Sequence, residues 1–224
     1  MKETELTYEI FNSIEKCHQI LLNQGFQFIE VYTLNDRYFS KLPIDTIKET
    51  SFQNTIKNSF LLRNITDECG SKTYLVYKNK EFDKDGNVIS EEKIKTKIDN
   101  FDNTLKILES ANFKPWASYT SVNYIYEKDD KCIDIQDVKD LGLFLEIEEF
   151  DYMKNMTPEQ KIKELQKFAD SLGLSKSQNS SINKLELYVE LILKNKNNEL
   201  WGVKCNYKKL LKKEDLLENL KPTQ

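Results

Sequence analysis

The stretch that decides the fold is Leu141-Gly142-Leu143-Phe144-Leu145-Glu146-Ile147-Glu148. Successive side chains of a β-strand point to opposite faces, so Leu145 and Ile147 share one face while Glu146 and Glu148 share the other. We expect the apolar face to pack under helices, which leaves the two carboxylates facing either solvent or an interior space. For a single strand of this kind, solvent is the ordinary interpretation, because charged residues are rarely buried unpaired.

The first residues of the chain repeat this alternation. Glu3 and Glu5 would also share one face of a strand. Two such pairs, at opposite ends of one domain, favour a shared site for a divalent metal over two solvated surfaces. Carboxylate oxygens are the ligands that suit Mg²⁺ or Mn²⁺. The candidate metal ligands are therefore Glu3, Glu5, Glu146 and Glu148.

The hydrophobic periodicity predicts an α+β protein in which strands outnumber helices. The predicted helices are 11–24, 102–111, 181–194 and one that runs from the capping box Thr157-Pro158-Glu159-Gln160 to Gly173. The predicted strands are the first segment and residues 27–40, 59–65, 72–79, 88–98, 117–127, 131–138 and 143–150. Asp85-Gly86 predicts a hairpin turn. Residues 41–58 are predicted to be a long connection and 206–221 a further helix.

Composition removes several classes of protein. The 224 residues carry 33 Lys and Arg against 37 Asp and Glu, and this net charge of −4 does not favour binding to nucleic acid. We expect no membrane span and no signal peptide, because the apolar runs are short and the first ten residues are interrupted by glutamates. The four scattered cysteines indicate a reduced, cytoplasmic protein without a zinc site. The single histidine, His18, lies on an apolar helix stripe and is predicted to be packed.

Four short motifs occur in order along the chain: Glu3-Thr-Glu5, Asp36-Arg-Tyr38-Phe39, Leu75-Val-Tyr-Lys78 and the segment Leu141–Glu148. Together they resemble the signatures of the CYTH superfamily, the triphosphate tunnel metalloenzymes. The resemblance is greatest to class IV adenylate cyclases and runs through about residues 1–193. The last motif is fairly specific, whereas the others are weak individually.

The resemblance implies a closed, eight-stranded antiparallel barrel with flanking helices over residues 1–193, followed by a helical C-terminal tail over 194–224. The barrel lumen would bind a nucleotide or another small molecule that bears a polyphosphate. The four glutamates would hold Mg²⁺ or Mn²⁺, and Glu146, Glu148 and Lys78 would be catalytic. The implied activity is that of an adenylate cyclase, which is a phosphorus–oxygen lyase, or of a triphosphatase.

Phosphate ligands carried over by position are Arg63 and Lys78. The chain departs from the family pattern at Thr7 in place of Lys, Leu61 in place of Arg, Ser121-Val-Asn123 in place of Lys-x-Arg, and Gln136 in place of Asp. Each lost cation removes a charge-assisted phosphate contact of about 1.5–3 kcal/mol. The substitutes, provided that they point inward, would be Lys72, Lys93 and Lys95.

Three hypotheses of function therefore stay open. The first is a divergent metal-dependent enzyme, and the second is a catalytically degenerate tunnel domain that binds a nucleotide-type ligand as a sensor. In the second, Tyr119, Ser121 and Asn123 would supply hydrogen bonds or stacking in place of charge. The third is an interaction domain that uses the tail 195–224. The oligomeric state stays open too, with a homodimer through residues 155–224 as one option.

Overall fold

The structure is a computed structural model that describes residues 2–41, 56, 59–82 and 88–194, with the backbone alone at 2–3, 80, 82, 88–91 and 192–194. The chain forms two compact units. The first unit contains Leu34–Thr120 and the residues from Asn183 to the end of the last described helix, and the second contains Glu3–Thr33 and Ser121–Ile182.

The described residues form nine strands and four α-helices. The strands are β1 Lys2–Glu3, β2 Glu5–Ile10, β3 Gln27–Ser40, β4 Ser59–Asp67, β5 Gly70–Phe82, β6 Val88–Ile98, β7 Lys114–Lys128, β8 Lys131–Val138 and β9 Gly142–Glu148. The helices are α1 Ile14–Asn23, α2 Phe101–Ser110, α3 Pro158–Ser171 and α4 Lys184–Lys194. None of these described helices is long and apolar enough to cross a membrane.

In the first unit, the strands hydrogen-bond in the order β6-β5-β4-β3-β7. The pairs β4–β5 and β5–β6 are antiparallel. Helix α2 covers one face of these strands, where Leu108 packs with Phe39 and Leu62. Because strand side chains alternate, the residues between the apolar ones point to the other face.

In the second unit, the order is β3-β7-β8-β9-β2, and the pairs β7–β8, β8–β9 and β2–β9 are antiparallel. Helices α1 and α3 cover one face, with Leu21 and Leu165 in the same buried core as Leu145 and Ile147. The segment that follows α3 runs along β2, since Thr7 N–H donates to the Ser180 carbonyl at 3.0 Å. The outer edge of β2 therefore has hydrogen-bond partners too.

Local sequence signals explain where the helices begin and end. The Thr157 hydroxyl accepts from Gln160 N–H while the Gln160 side chain accepts from Thr157 N–H, so the predicted capping box is confirmed. Gly25 and Gly173 follow their helices with φ of 85° and 65°, the left-handed conformation that glycine adopts without strain.

The predicted antiparallel strands with flanking helices are confirmed. The predicted first strand is divided at Thr4, which separates β1 from β2. The turn predicted at Asp85-Gly86, most of the connection 41–58 and the tail helix 206–221 lie outside the described residues. Closure into a barrel, a division near residue 193 and a homodimer stay predictions.

Candidate functional site

One face of the second unit carries three carboxylates at the β2–β9 ladder. Glu5 lies directly opposite Glu148, and Thr7 lies opposite Glu146. Carboxylate oxygens of Glu5, Glu146 and Glu148 all lie within 4.8 Å of one another. The first two residues are partly buried and Glu148 is exposed. We call these three residues the acidic cluster.

The burial of the other face explains why these carboxylates gather. Leu145 and Ile147 of β9 are fully buried, and Leu6 and Tyr8 of β2 nearly so. Since strand side chains alternate, burial of these four commits the glutamates between them to one shared face. The structure thus brings together three of the four predicted metal ligands. The fourth, Glu3, lies in β1, and its side chain is outside what the structure describes.

The acidic cluster has a donor set that fits a hard divalent cation. Its three donors are all carboxylate oxygens, which suit Mg²⁺ or Mn²⁺ and do not provide the nitrogen or sulfur that zinc prefers. Around Mg²⁺ with bonds of about 2.1 Å, ligand oxygens stand up to about 4.2 Å apart. Oxygens within 4.8 Å of one another therefore need only a small adjustment to share one ion.

A fourth carboxylate, Asp134, lies beside the cluster on β8. It is opposite Glu146 in the β8–β9 register and so shares its face. Its Oδ2 accepts hydrogen bonds from Asn123 Nδ2 at 2.7 Å and from Gln136 Nε2 at 2.6 Å. The Ser121 hydroxyl donates to Asn123 Oδ1 at 2.6 Å. Asn123 and Gln136 therefore orient the Asp134 carboxylate, and Ser121 orients Asn123.

The thiol of Cys132 reports the electrostatic character of this part of β8. Burial raises its pKa, and the carboxylates Glu127, Asp134, Glu148 and Glu30 add to the rise, to about 11. Each of these carboxylates disfavours a second negative charge on the thiolate. The carboxylates near Cys132 therefore include Asp134 and Glu148, which lie at the acidic cluster.

One face of the first unit carries five lysines along β5 and β6. Lys78 lies directly opposite Lys93. Lys95 and Lys97 follow at alternate positions of β6, and Lys72 has the same parity as Lys78 on β5, so all five point to the same side. We call these residues the lysine face. Helix α2 packs on the opposite side of these strands.

Two of the predicted phosphate ligands are paired with carboxylates. Arg63 donates from Nε to Asp36 Oδ1 at 2.8 Å and from Nη2 to Oδ2 at 2.6 Å. Burial acts to lower the pKa of Arg63, but the fully buried Asp36 outweighs it and holds that pKa above its ordinary value. Lys72 is largely exposed and lies 3.5 Å from Asp67. The charge of Arg63 is therefore already compensated within the protein.

Lys95 lies where several cations converge. Its Nζ is 3.9 Å from the centroid of the Tyr74 ring, a cation–π contact. Burial lowers the pKa of Lys95, and Arg63 and Lys93 lower it further, while Asp36 opposes them. Positive neighbours disfavour the protonated amine, so this part of the lysine face has the positive potential that an anion would relieve.

The predicted uncharged ligands are buried. Tyr119 stacks on Tyr38 in the first unit, with ring centroids 6.3 Å apart. Ser121 and Asn123 in the second unit are almost completely buried, and their polar atoms serve the network around Asp134. The structure therefore gives these three residues protein contacts, and their role toward a ligand stays a prediction.

Two residues that matter here, Asp134 and Lys97, are not among those predicted from the sequence. Asp134 alternates with the buried Ile133 and Ile135, so its parity alone could have placed it beside Glu146. Lys97 continues the alternation of Lys93 and Lys95 and could have been found in the same way. No local signal pairs Asp36 with Arg63, because that contact depends on how two strands far apart in sequence come together.

Comparisons with known proteins place this geometry in context. No protein-family model matches the chain. A protein of Methanocaldococcus jannaschii named as a candidate adenylate cyclase is 28% identical over 177 residues, which is 79% of this chain and 92% of that protein. The solved structure of the PH1819 protein of Pyrococcus horikoshii has a TM-score of 0.63 at 21% identity, covering 86% of this chain and 99% of its own.

A third similar protein bears on both activities that the resemblance implies, adenylate cyclase and triphosphatase. It is a candidate adenylyl cyclase from Hippeastrum, described as having a dominant triphosphatase activity, with a TM-score of 0.55 at 15% identity. It covers 85% of this chain and 96% of its own. The chain is thus similar in fold to proteins of the adenylate cyclase and triphosphatase kind, and the resemblance to the CYTH superfamily is confirmed.

Proposed function

We propose that this protein is a metal-dependent enzyme that acts on a nucleoside triphosphate or another small molecule bearing a polyphosphate. The observation that carries the proposal is the acidic cluster, three carboxylates on one sheet face with oxygens within 4.8 Å of one another. Such a donor set suits a hard cation, and Mg²⁺ in proteins is commonly bound by carboxylates together with the phosphates of a substrate.

In this proposal, Glu5, Glu146 and Glu148, with Glu3 by extension of the motif, would hold the metal. A metal bound there would neutralise phosphate oxygens and favour deprotonation of an attacking hydroxyl. Asp134 lies beside Glu146 and would keep the surroundings negative. The network of Asn123 and Gln136 would hold Asp134 in one orientation.

The lysine face would bind the phosphates. Phosphoryl transfer depends mainly on positioning and on neutralising charge at the phosphate oxygens. Lys78 lies opposite Lys93, and Lys95 is at the next alternate position of β6, so three ammonium groups on one face would contact several phosphate oxygens of one chain. We assign Lys78 the catalytic role of stabilising charge at the reacting phosphoryl group. Arg63, held by Asp36, would contribute to the positive potential more than to a direct contact.

Two reactions are consistent with this chemistry. Attack by a ribose hydroxyl would give a cyclic nucleotide, and attack by water would give hydrolysis. The similarity to an archaeal candidate adenylate cyclase supports the first, and the triphosphatase activity described for the Hippeastrum protein supports the second. The product decides between them.

The experiment is an incubation of the purified protein with ATP, GTP and tripolyphosphate, each with Mg²⁺ or Mn²⁺, followed by chromatography of the products. Cyclic nucleotide with released pyrophosphate would identify a cyclase, and released inorganic phosphate a triphosphatase. An absence of turnover in every combination would contradict the proposed enzyme.

A second candidate function is a binding module that has lost turnover. It is favoured by Arg63, which is engaged by Asp36, and by the neutral buried network of Ser121 and Asn123. In such a module, Tyr119, Ser121 and Asn123 would contact a less anionic, nucleotide-type ligand. A specific ligand raises the melting temperature by mass action, so a thermal-shift screen of nucleotides without turnover would support this candidate.

A further inference from the structure

The interruption of the N-terminal strand lies next to the acidic cluster. Thr4 separates β1 from β2 and immediately precedes Glu5. Glu149 immediately follows Glu148, which is opposite Glu5 in the ladder. Thr4 and Glu149 therefore occupy the next rung beyond the one that pairs two carboxylates of the acidic cluster.

The hydrogen bonds of this rung differ from those of an ordinary ladder. Glu149 N–H donates to the Thr4 carbonyl at 2.9 Å, as an antiparallel pair would. Thr4 N–H, in contrast, donates to the side-chain Oε2 of Glu149 at 3.0 Å. The buried Thr4 is thus held by both the backbone and the carboxylate of Glu149.

A cation from α3 holds that carboxylate in place. Lys161 Nζ lies 2.7 Å from the same Oε2 of Glu149, and the two side chains are only 11% and 12% exposed. A pair this buried is geometrically restricted, and removal of one partner leaves the other without compensation. Glu149 alternates with Glu148 along the chain, so it points to the helix side while Glu148 points to the acidic cluster.

We propose that Lys161 is a positioning residue for the metal site. It holds Glu149 against Thr4, and through this rung it sets the distance between the Glu5 and Glu148 carboxylates on the other face. The inference rests on the proposed metal-binding function. Groups that orient metal ligands without touching the ion commonly change metal affinity by about ten- to a hundredfold when they are removed.

The test is a titration of the full chain with Mn²⁺, in which the electron paramagnetic resonance signal of the free ion measures how much Mn²⁺ is unbound. We expect Lys161→Met to weaken Mn²⁺ binding by about tenfold or more, and Lys161→Arg, which keeps the charge, to restore most of the affinity. The matched control is Lys163→Met, an exposed residue on the same helix, which should bind Mn²⁺ like the wild type. The ratio of dissociation constants, not enzymatic activity, is the readout.

The outcomes separate this inference from the proposed function. No Mn²⁺ binding by the wild type overturns both. Wild-type binding that Lys161→Met leaves unchanged, or an equal loss in Lys163→Met, overturns this inference alone. Should Lys161→Met fail to fold by circular dichroism, Lys161→Gln keeps a donor for Glu149 without the charge. A loss of Mn²⁺ affinity below about tenfold in that variant overturns the inference, and a larger loss supports it.

Discussion

The two units carry clusters of opposite charge, each on one face of its strands. In the first unit, β5 and β6 present lysines, with Lys78 directly opposite Lys93. In the second, β2 and β9 present carboxylates, with Glu5 directly opposite Glu148. Like charges opposite each other destabilise a strand pair. An anion bound to one face and a cation bound to the other would each relieve that repulsion, and this is why we assign binding functions to both.

Each unit also contains an ion pair that stabilises the fold. Arg63 meets Asp36 in a bidentate pair, and Lys161 meets Glu149 at 2.7 Å. Each of these cations contacts one carboxylate, with Arg63 partly buried and Lys161 buried. The lysine face and the acidic cluster instead place like charges beside one another. The two ion pairs are therefore assigned to the stability of the fold, and the groups of like charge are the candidate ligands.

The largest effect is expected at the acidic cluster. The double substitution Glu146→Gln and Glu148→Gln keeps the side-chain shape but removes two of three negative ligands. We expect Mn²⁺ affinity to fall by more than about a hundredfold, since even partners that only orient ligands cost about ten- to a hundredfold. Calorimetric titration measures the loss, and circular dichroism checks that the fold is retained. Unchanged metal affinity would contradict the assignment of the cluster.

The next effect concerns stability in the first unit. Arg63→Met leaves the fully buried Asp36 without its cation, so the free energy of unfolding should fall by about 3–5 kcal/mol. Urea denaturation measures this loss. Adding Asp36→Asn removes the buried charge and should restore much of the stability. A loss below about 1 kcal/mol in the single variant would place Arg63 with the candidate ligands instead of with the structural pairs.

A smaller effect is expected for an individual lysine. Lys78→Met should reduce the affinity for tripolyphosphate by about 1.5–3 kcal/mol, or about ten- to a hundredfold, because it removes one charge-assisted contact. Its affinity for Mn²⁺ alone should not change. The control is Lys106→Met, an exposed lysine on α2 of the same unit. Equal losses of tripolyphosphate affinity in both variants would show that net charge, not the lysine face, governs binding.

The smallest expected effect is on the pH dependence of stability, and it comes from His18, a buried histidine. His18 is buried, with Nδ1 3.1 Å from the Tyr126 hydroxyl, and burial lowers its pKa. The unfolded chain then takes up a proton more readily, so this stability is present above the ordinary pKa of about 6.5 and is lost as pH falls toward the lowered value. In His18→Gln, the difference in urea midpoint between about pH 7.5 and pH 5.5 should shrink. An unchanged difference would mean that other groups control the acid sensitivity.

Much of the fold followed from the sequence because it depends on local patterns. The alternation of Leu145 and Ile147 with Glu146 and Glu148 predicted both a buried face and a charged one, and the structure has both. The caps at Thr157 and elsewhere depend on residues only three positions apart. These signals need no knowledge of which strands are neighbours.

The remaining features depend on contacts between distant segments. Two ion pairs join residues on separate elements: Arg63 with Asp36, and Lys161 with Glu149. The break at Thr4 is visible only once Glu149 is known to lie opposite it. The alternation of residues along a strand predicts which face a side chain is on, but it does not predict which residue on another strand or helix the side chain contacts.

The most direct test of the central claim is the metal dependence of the turnover of ATP, GTP and tripolyphosphate, followed as substrate loss, by the wild type and by Glu146→Gln/Glu148→Gln. We predict turnover by the wild type that requires Mg²⁺ or Mn²⁺, is abolished by a chelator and is absent from the folded double variant. Equal turnover by the two proteins, or turnover that persists without a divalent metal, would contradict the account.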